Sequence, residues 1–273
     1  MENFAYIKNL LLQEKIDTFG AIKLSDCKIM REYKLKNAGL DISDSLFVYI
    51  FAMPYYAKNV DNKNISMYAV PRDYHAYFNG LSKRLITKLQ ENFPEYKFAA
   101  FTDNSPIDER HAAASAGLGV IGKNGLLITE KYSSFIFLGE IITNMPTQMN
   151  GKTAIKECIG CGKCMQACPM KEIGECLSSL TQKKGALTDE EIKSIQKYGC
   201  AWGCDICQDT CPYTQKAIKN GTIYTPIDFF SENLTPKLDK DTILSMSDEE
   251  FSLRAYSWRK KETILRNLEI LSK

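Results

Sequence analysis

Nine of the ten cysteines in this 273-residue chain fall between Cys158 and Cys211, and only Cys27 lies outside. Seven of the nine form two runs, "CIGCGKCMQACP" over 158–169 and "CDICQDTCP" over 204–212, each closing on Cys-Pro, with Cys176 and Cys200 between them. A segment so unlike the rest is a module of its own, and its chemistry depends on the redox compartment. The opening "MENFAYIKNLLLQEKID" lacks the basic start, long apolar run and small-residue cleavage site of a secretory signal. Nowhere do about eighteen uninterrupted apolar residues occur. The chain therefore reads as cytoplasmic and free of membrane, a setting in which clustered thiols hold metal or do redox chemistry rather than form disulfides.

The first run has the spacing C-x2-C-x2-C-x3-C-P. In that pattern three close thiolates wrap one corner of an iron-sulfur cube, and the fourth, carried onward by the proline, ligates a second cube. Cys158, Cys161 and Cys164 then need one remote partner, which Cys211 before Pro212 supplies. Cys168, Cys204 and Cys207 begin a second 4Fe-4S cluster that needs one more thiolate. Spacing leaves Cys176 and Cys200 both open, and the symmetry of the two runs leans to Cys200. Structural zinc also uses C-x2-C pairs, usually as two separated knuckles, so the triple run ending in Cys-Pro points to two 4Fe-4S clusters instead. Cys27, alone, reads as a small core hydrophobe.

Outside the cysteines, strands alternate with helices. The β-branched and aromatic runs "SLFVYIFAMPYY" (45–56), "KFAAFTD" (97–103) and "SSFIFLGEIITN" (133–144) read as strands. From Tyr74, apolar residues recur at Tyr77, Phe78, Leu81, Leu85 and Leu89, which predicts an amphipathic helix with Asp73 as its cap. "DERHAAASAG" (108–117) predicts a short helix ended by glycine, Thr188 with Glu191 a capping box, and "SDEEFSLRAYSWRKKETILRNLEILSK" (247–273) a final helix. The proline, asparagines and glycine of "NMPTQMNGKT" (144–153) mark a boundary. The expected class is α+β, with a mixed α/β domain over 1–150, the cysteine module over 151–218 and a helical tail over 219–273. With 35 Lys plus Arg against 33 Asp plus Glu, no global field calls for nucleic acid. In "AGLGVIGKN", Gly117, Gly119 and Gly122 remove side chains so that the backbone can approach a bulky ligand. They follow a helix and precede a strand, the reverse of a dinucleotide-binding unit. Asp103, beside Asn104 and Ser105, reads on its own as a turn residue at a strand end.

The ordered set "MYAVPRDYH" (67–75), "TDNSPIDERHAAASAGLGVIGKNGLLIT" (102–129) and the double cysteine run with "ECLSSLT" (175–181) between its halves resembles the epoxyqueuosine reductase family. The likeness covers 45–215, with a weaker echo in "DEEFSLRAYSWRKKETILRNLEIL". It implies a nitroreductase-like domain, similar in fold and cofactor to corrinoid-dependent reductive dehalogenases, with cobalamin seated between it and a bacterial-type double 4Fe-4S ferredoxin module. The implied reaction is reduction of epoxyqueuosine to queuosine in tRNA, with electrons from a low-potential donor of ferredoxin or flavodoxin type. Asp103, which leads a D-x-x-P segment ahead of A-G-L-G, is implied as proton donor to the departing oxygen, with burial against the corrin raising its pKa.

The resemblance also marks Tyr68, Tyr74, His75, Gly117, Leu118, Gly119, Gly122, Lys123 and Asn124 as cofactor contacts, Lys123 and Asn124 toward propionamide or phosphate groups. It places Cys176 on the second cluster, against the symmetry argument. With two histidines and no D-x-H-x-x-G stretch, it implies a cobalt without a protein axial ligand. Family members continue past the region resembling "ILRNLEIL" into a helical-repeat domain that carries tRNA. Here the local basic residues Arg254, Arg259, Lys260, Lys261 and Arg266 would have to grip the anticodon loop. Otherwise the scaffold serves a small molecule or another corrinoid protein, or acts as a plain two-cluster electron carrier.

Overall fold

Every residue of Phe47–Pro54 is buried, because the strand it forms is covered on both faces. The computed structural model describes residues 2–147, 157–171 and 175–273, so the expected boundary near 150 lies outside the described residues. Successive side chains of a strand point to opposite sides. Tyr49, Phe51 and Met53 accordingly enter one apolar cluster, while Val48, Ile50 and Ala52 enter another. Among the described residues six strands form: β1 Phe19–Lys23, β2 Phe47–Pro54, β3 Phe98–Phe101, β4 Gly119–Ile121, β5 Leu127–Thr129 and β6 Ile136–Thr143. Four of them make an antiparallel sheet in the order β1-β2-β6-β3, and β4 with β5 makes a separate hairpin.

The helices on this sheet are α1 Glu2–Gln13, α2 Glu32–Asn37, α3 Tyr74–Asn92 and α4 Glu109–Ser115. The expected cap is present, since Asp73 accepts the backbone N–H of His75 at the head of α3. Phe78, Leu81, Leu85 and Leu89 of α3 are buried in the first cluster, at roughly 1.5–3 kcal/mol each. Gly139 on β6 allows the close fit, for a Cβ there would stand 2.7 Å from the rings of Phe51 and Phe78. On the opposite face α4 packs Ala112 and Ala113 against Val48, Ile50 and Ile142. Cys27 packs partly buried against this second cluster, and burial pushes its thiol up to about 12, in keeping with an apolar filler.

The rest of the chain adds α5 Lys163–Ala167, α6 Leu177–Thr181, α7 Asp189–Tyr198, α8 Ile206–Asp209, α9 Pro212–Lys219, α10 Lys240–Ser245, α11 Asp248–Ser252 and α12 Lys260–Leu271. Thr188 and Glu191 close the expected capping box of α7. The single helix expected over 247–273 does not form. A capping box of Ser247 and Glu250 starts α11, but its exit is drawn into pairing with the chain ahead of α3. Asp73 N–H donates to Leu253 O at 2.8 Å, and Arg72 bridges Arg254. The chain then turns through Lys260, at φ +65, into α12.

This tail joins the first cluster through Phe230, Phe251, Tyr256, Ile264 and Leu268. The cysteine segment is stitched to the same body. Ser66 N–H donates to Trp202 O and Ala201 N–H to Asn64 O, both at 2.7 Å. Trp202 is wholly buried. The buried carboxylate of Asp205, between Cys204 and Cys207, accepts from Lys63 Nζ at 2.6 Å, Ser66 Oγ at 2.5 Å and Met67 N–H at 2.7 Å. A buried charge satisfied from three sides fixes the orientation of its segment. Among the described residues no helix is long and apolar enough to cross a membrane.

Candidate active site

Asp103, two residues beyond the end of β3, takes a left-handed conformation, φ +59, which costs a non-glycine residue energy and persists only where neighbours hold it. They do so on each side. Its N–H donates to Glu109 Oε1 at 3.0 Å, Thr102 Oγ1 donates to Leu138 O at 2.5 Å, and Arg31 donates to Ser105 O at 3.1 Å. Asp103 thereby stands in a cleft of about 410 Å3 whose walls include Tyr74, Thr102, Glu109, Leu126, Leu127, Ser134 and Phe137. Tyr74, at the start of α3, stacks on Phe137 with centroids 4.0 Å apart.

His75 joins this group. Its Nδ1 is 2.8 Å from Asp73 Oδ1 and its Nε2 is 3.8 Å from Asp103 Oδ2. Pairing with Asp103, then with Asp73, raises the imidazole to about 9. The same pairing holds the Asp103 carboxyl below its usual range. Its side chain is 68% exposed, and the imidazolium outweighs the desolvation it suffers.

The β4–β5 hairpin is the wall between this cleft and the cysteines. Leu126 and Leu127 line the cleft, whereas Gly122, Lys123 and Asn124 line a second pocket together with Cys158, Cys161, Cys164 and Cys211. These are the four thiols that spacing grouped. Asn124 also hydrogen-bonds Cys207, whose other close thiol neighbours are Cys176, Cys168 and Cys164; Cys204 sits beside Cys200 and Cys207. Cys200 Sγ donates to Gly203 O at 2.9 Å. Among the described residues no three His, Cys, Asp or Glu side chains converge as ligands of one metal ion.

The glycines serve the hairpin itself. A Cβ on Gly119 would lie 2.1 Å from Ile128 O of the facing strand, and Gly117, at φ +81, follows the end of α4. Leu118 is buried in the second cluster. Tyr68 packs against Gly203, where an added Cβ would meet its ring at 2.9 Å.

A family model described as Epoxyqueuosine reductase QueG, DUF1730, matches residues 45–104. An epoxyqueuosine reductase of Synechocystis is 33% identical over 215 residues, covering 75% of this chain and 74% of that protein. The chain belongs to the epoxyqueuosine reductase family. Another epoxyqueuosine reductase, from Leadbetterella byssophila, is 34% identical over 215 residues, 75% of this chain and 68% of its own. The match spans 61% of the Gloeobacter violaceus relative and 54% of the one from Listeria monocytogenes. In fold, the Streptococcus thermophilus epoxyqueuosine reductase superposes with a TM-score of 0.76 at 23% identity, covering 99% of this chain and 81% of that one. A structure of an epoxyqueuosine reductase with an epoxyqueuosine-modified tRNA-Tyr stem loop gives 0.75 at 23% identity, with 98% and 81% covered. The mixed α+β fold is thus the one seen in epoxyqueuosine reductase structures.

In this family member, sequence reasoning passed over Glu109 and Glu140. Glu140 is fully buried on β6, and Ser105 Oγ donates to its Oε1. A carboxylate in the apolar strand "IFLGEIIT" was the available signal. Burial raises Glu109 to about 7, and burial followed by the charge of Glu109 raises Glu140 well above the carboxylate range. Of the basic residues expected to grip RNA, several are engaged within the chain. Arg254 donates to Asn233 O, Lys261 to Met246 O, and Arg266 to Lys183 O and Gly185 O. Arg259 stacks 3.7 Å over the exposed Trp258.

Proposed function

We propose that the chain reduces epoxyqueuosine to queuosine in tRNA in the cytoplasm, receiving electrons from a low-potential ferredoxin- or flavodoxin-type donor. The observation that carries this reading is the hairpin: one end lines the Asp103 cleft and the other lines the pocket of four cysteines. In this reading Cys158, Cys161, Cys164 and Cys211 hold one 4Fe-4S cluster, and Cys168, Cys176, Cys204 and Cys207 hold the second. Four thiols lining one pocket suit a cube, in which each binds its own iron. Tyr74 and His75 at the cleft would hold cobalamin, together with Tyr68 and with Lys123 and Asn124 of the hairpin. When bound, the clusters and the corrinoid supply strongly reducing electrons.

The protein's own residues handle the proton. His75 and Asp103 together carry one, on the imidazole, 3.8 Å from Asp103 Oδ2. Moved to Asp103, it is placed for the departing oxygen, and general acids of this kind contribute roughly 10²–10⁴-fold. Ser134 Oγ, on the cleft wall, donates to Gln208 Oε1 at 2.9 Å, so the cleft touches the segment of Cys207 and Cys211 directly.

Anaerobic reconstitution with iron, sulfide and cobalamin, followed by assay of epoxyqueuosine-containing tRNA, tests the reading. Retained corrinoid and queuosine product are expected; a protein that binds iron but no corrinoid would instead be a two-cluster carrier. The internal engagement of Arg254, Lys261 and Arg266 favours one other substrate class, a small molecule. In that case turnover of the free nucleoside would match that of the tRNA.

A further inference from the structure

We propose that Glu109 and Glu140 hold one proton between them and that Glu109 passes it into the cleft, giving the site a second acid beside Asp103. The inference rests on the reductase reading above. Converting an epoxide to an alkene breaks two C–O bonds, forms one C–C π bond and releases the oxygen as water. It consumes two electrons, from the ferredoxin- or flavodoxin-type donor, and two protons. Asp103 with His75 accounts for one proton, and the other needs a source.

Geometry supplies it. Glu140 has no exposed surface. Its Oε1 accepts from Ser105 Oγ, while its Oε2 meets no N–H or hydroxyl donor among the described residues. The further polar group facing this carboxyl is the carboxyl of Glu109. Two carboxyl groups can hydrogen-bond only through a proton, and with Glu140 fully buried a second charge on the pair is strongly disfavoured. Glu109 is only partly buried and lines the cleft, so it is the exit from the pair.

The groups facing the pair leave the proton in place. They are Asp103 and Ser105 from the loop after β3, Asp108 beside α4, Tyr74 at the head of α3, and Cys27 near Glu140. The neighbouring cations Arg31, Lys34 and Arg110 donate to the carbonyls of Ser105, Asn104 and Gly125. The pair also clamps the loop that carries Asp103, through Asp103 N–H on one side and Ser105 Oγ on the other.

Two measurements separate this inference from the activity it serves. Infrared titration of substrate-free protein labelled with 13C-glutamate should show a glutamate that is protonated at pH 7, stays protonated above it and is lost in Glu140→Gln. A spectrum of fully ionised glutamates at pH 7 overturns the shared proton, whatever the enzyme does. In turnover, Glu109→Gln should lose roughly 10²–10⁴-fold and its descending limb near pH 7, with corrinoid binding unchanged. Glu140→Gln should be slow at neutral pH and recover as pH is lowered, because Glu109 then titrates as an ordinary carboxyl; a merely structural role would give no such recovery. Wild-type turnover and pH profile in Glu109→Gln would sink proton delivery. Absence of epoxyqueuosine reduction by the wild type would sink the reductase reading while leaving the infrared result standing.

Discussion

His75 bridges two carboxylates: its Nδ1 is 2.8 Å from Asp73 Oδ1, which caps α3, and its Nε2 is 3.8 Å from Asp103 Oδ2 at the head of the cleft. Asp103 foremost, then Asp73, raise the ring to about 9. The folded value lies above the unfolded one of roughly 6.5. Its stabilisation is therefore complete below that unfolded value and is lost as pH climbs through about 9. Solvent screens a half-exposed pair, so the effect is modest. Unfolding midpoints followed from roughly pH 6 to pH 10 should fall more steeply in the wild type than in His75→Gln. Superimposable slopes would show that the bridge contributes nothing.

Removing the acid should separate chemistry from binding. Asp103→Asn keeps the size of the side chain and the N–H bond to Glu109 but cannot carry the proton. Turnover should drop roughly 10²–10⁴-fold, while the visible absorption of reconstituted clusters and corrinoid stays as in the wild type. Full turnover in this variant would remove Asp103 from the chemistry.

The choice between Cys176 and Cys200 comes down to iron. Cys207 feels the thiols of Cys176, Cys168 and Cys164, whereas Cys200 lies beside Cys204 with its Sγ donating to Gly203 O at 2.9 Å. Cys200→Ser should therefore retain full iron and both clusters by electron paramagnetic resonance, and Cys176→Ser should lose one. The reverse pattern would move the ligand to Cys200 and restore the symmetry of the two runs.

Local signals in the chain were legible and distant ones were not. The grouping of Cys158, Cys161 and Cys164 with Cys211 could be read because ligand spacing is encoded along the chain, and these four do line one pocket. The apolar period from Tyr77 to Leu89 and the cap at Asp73 gave α3 for the same reason. The pairing of Asp103 with His75 could not be read locally, because the two lie on different elements. The glycines of "AGLGVIGKN" signalled a close approach, and one exists at Gly119, but to the chain's own strand at Ile128. Helical periodicity likewise could not show that Leu253 and Arg254 would be taken up by Asp73 and Arg72.

Asn267 is the residue on which the joint between the cysteine module and the tail depends. It is fully buried in α12, and its Nδ2 donates to Thr181 O at 2.7 Å and Ala201 O at 2.8 Å. Thr181 ends the helix that follows Cys176, and Ala201 follows Cys200, so one amide ties together both stretches flanking the second group of thiols. Its Oδ1 is in turn held by Arg266 Nε at 3.1 Å. Leucine at this position would fill a similar volume but orphan two buried carbonyls, at about 1–3 kcal/mol each. Urea unfolding of Asn267→Leu should show that loss in the transition midpoint at unchanged slope. Asn267→Asp, which keeps the shape but reverses the donor to an acceptor facing two carbonyls, should be worse still; if it proves as stable as the wild type, the amide is not the tie.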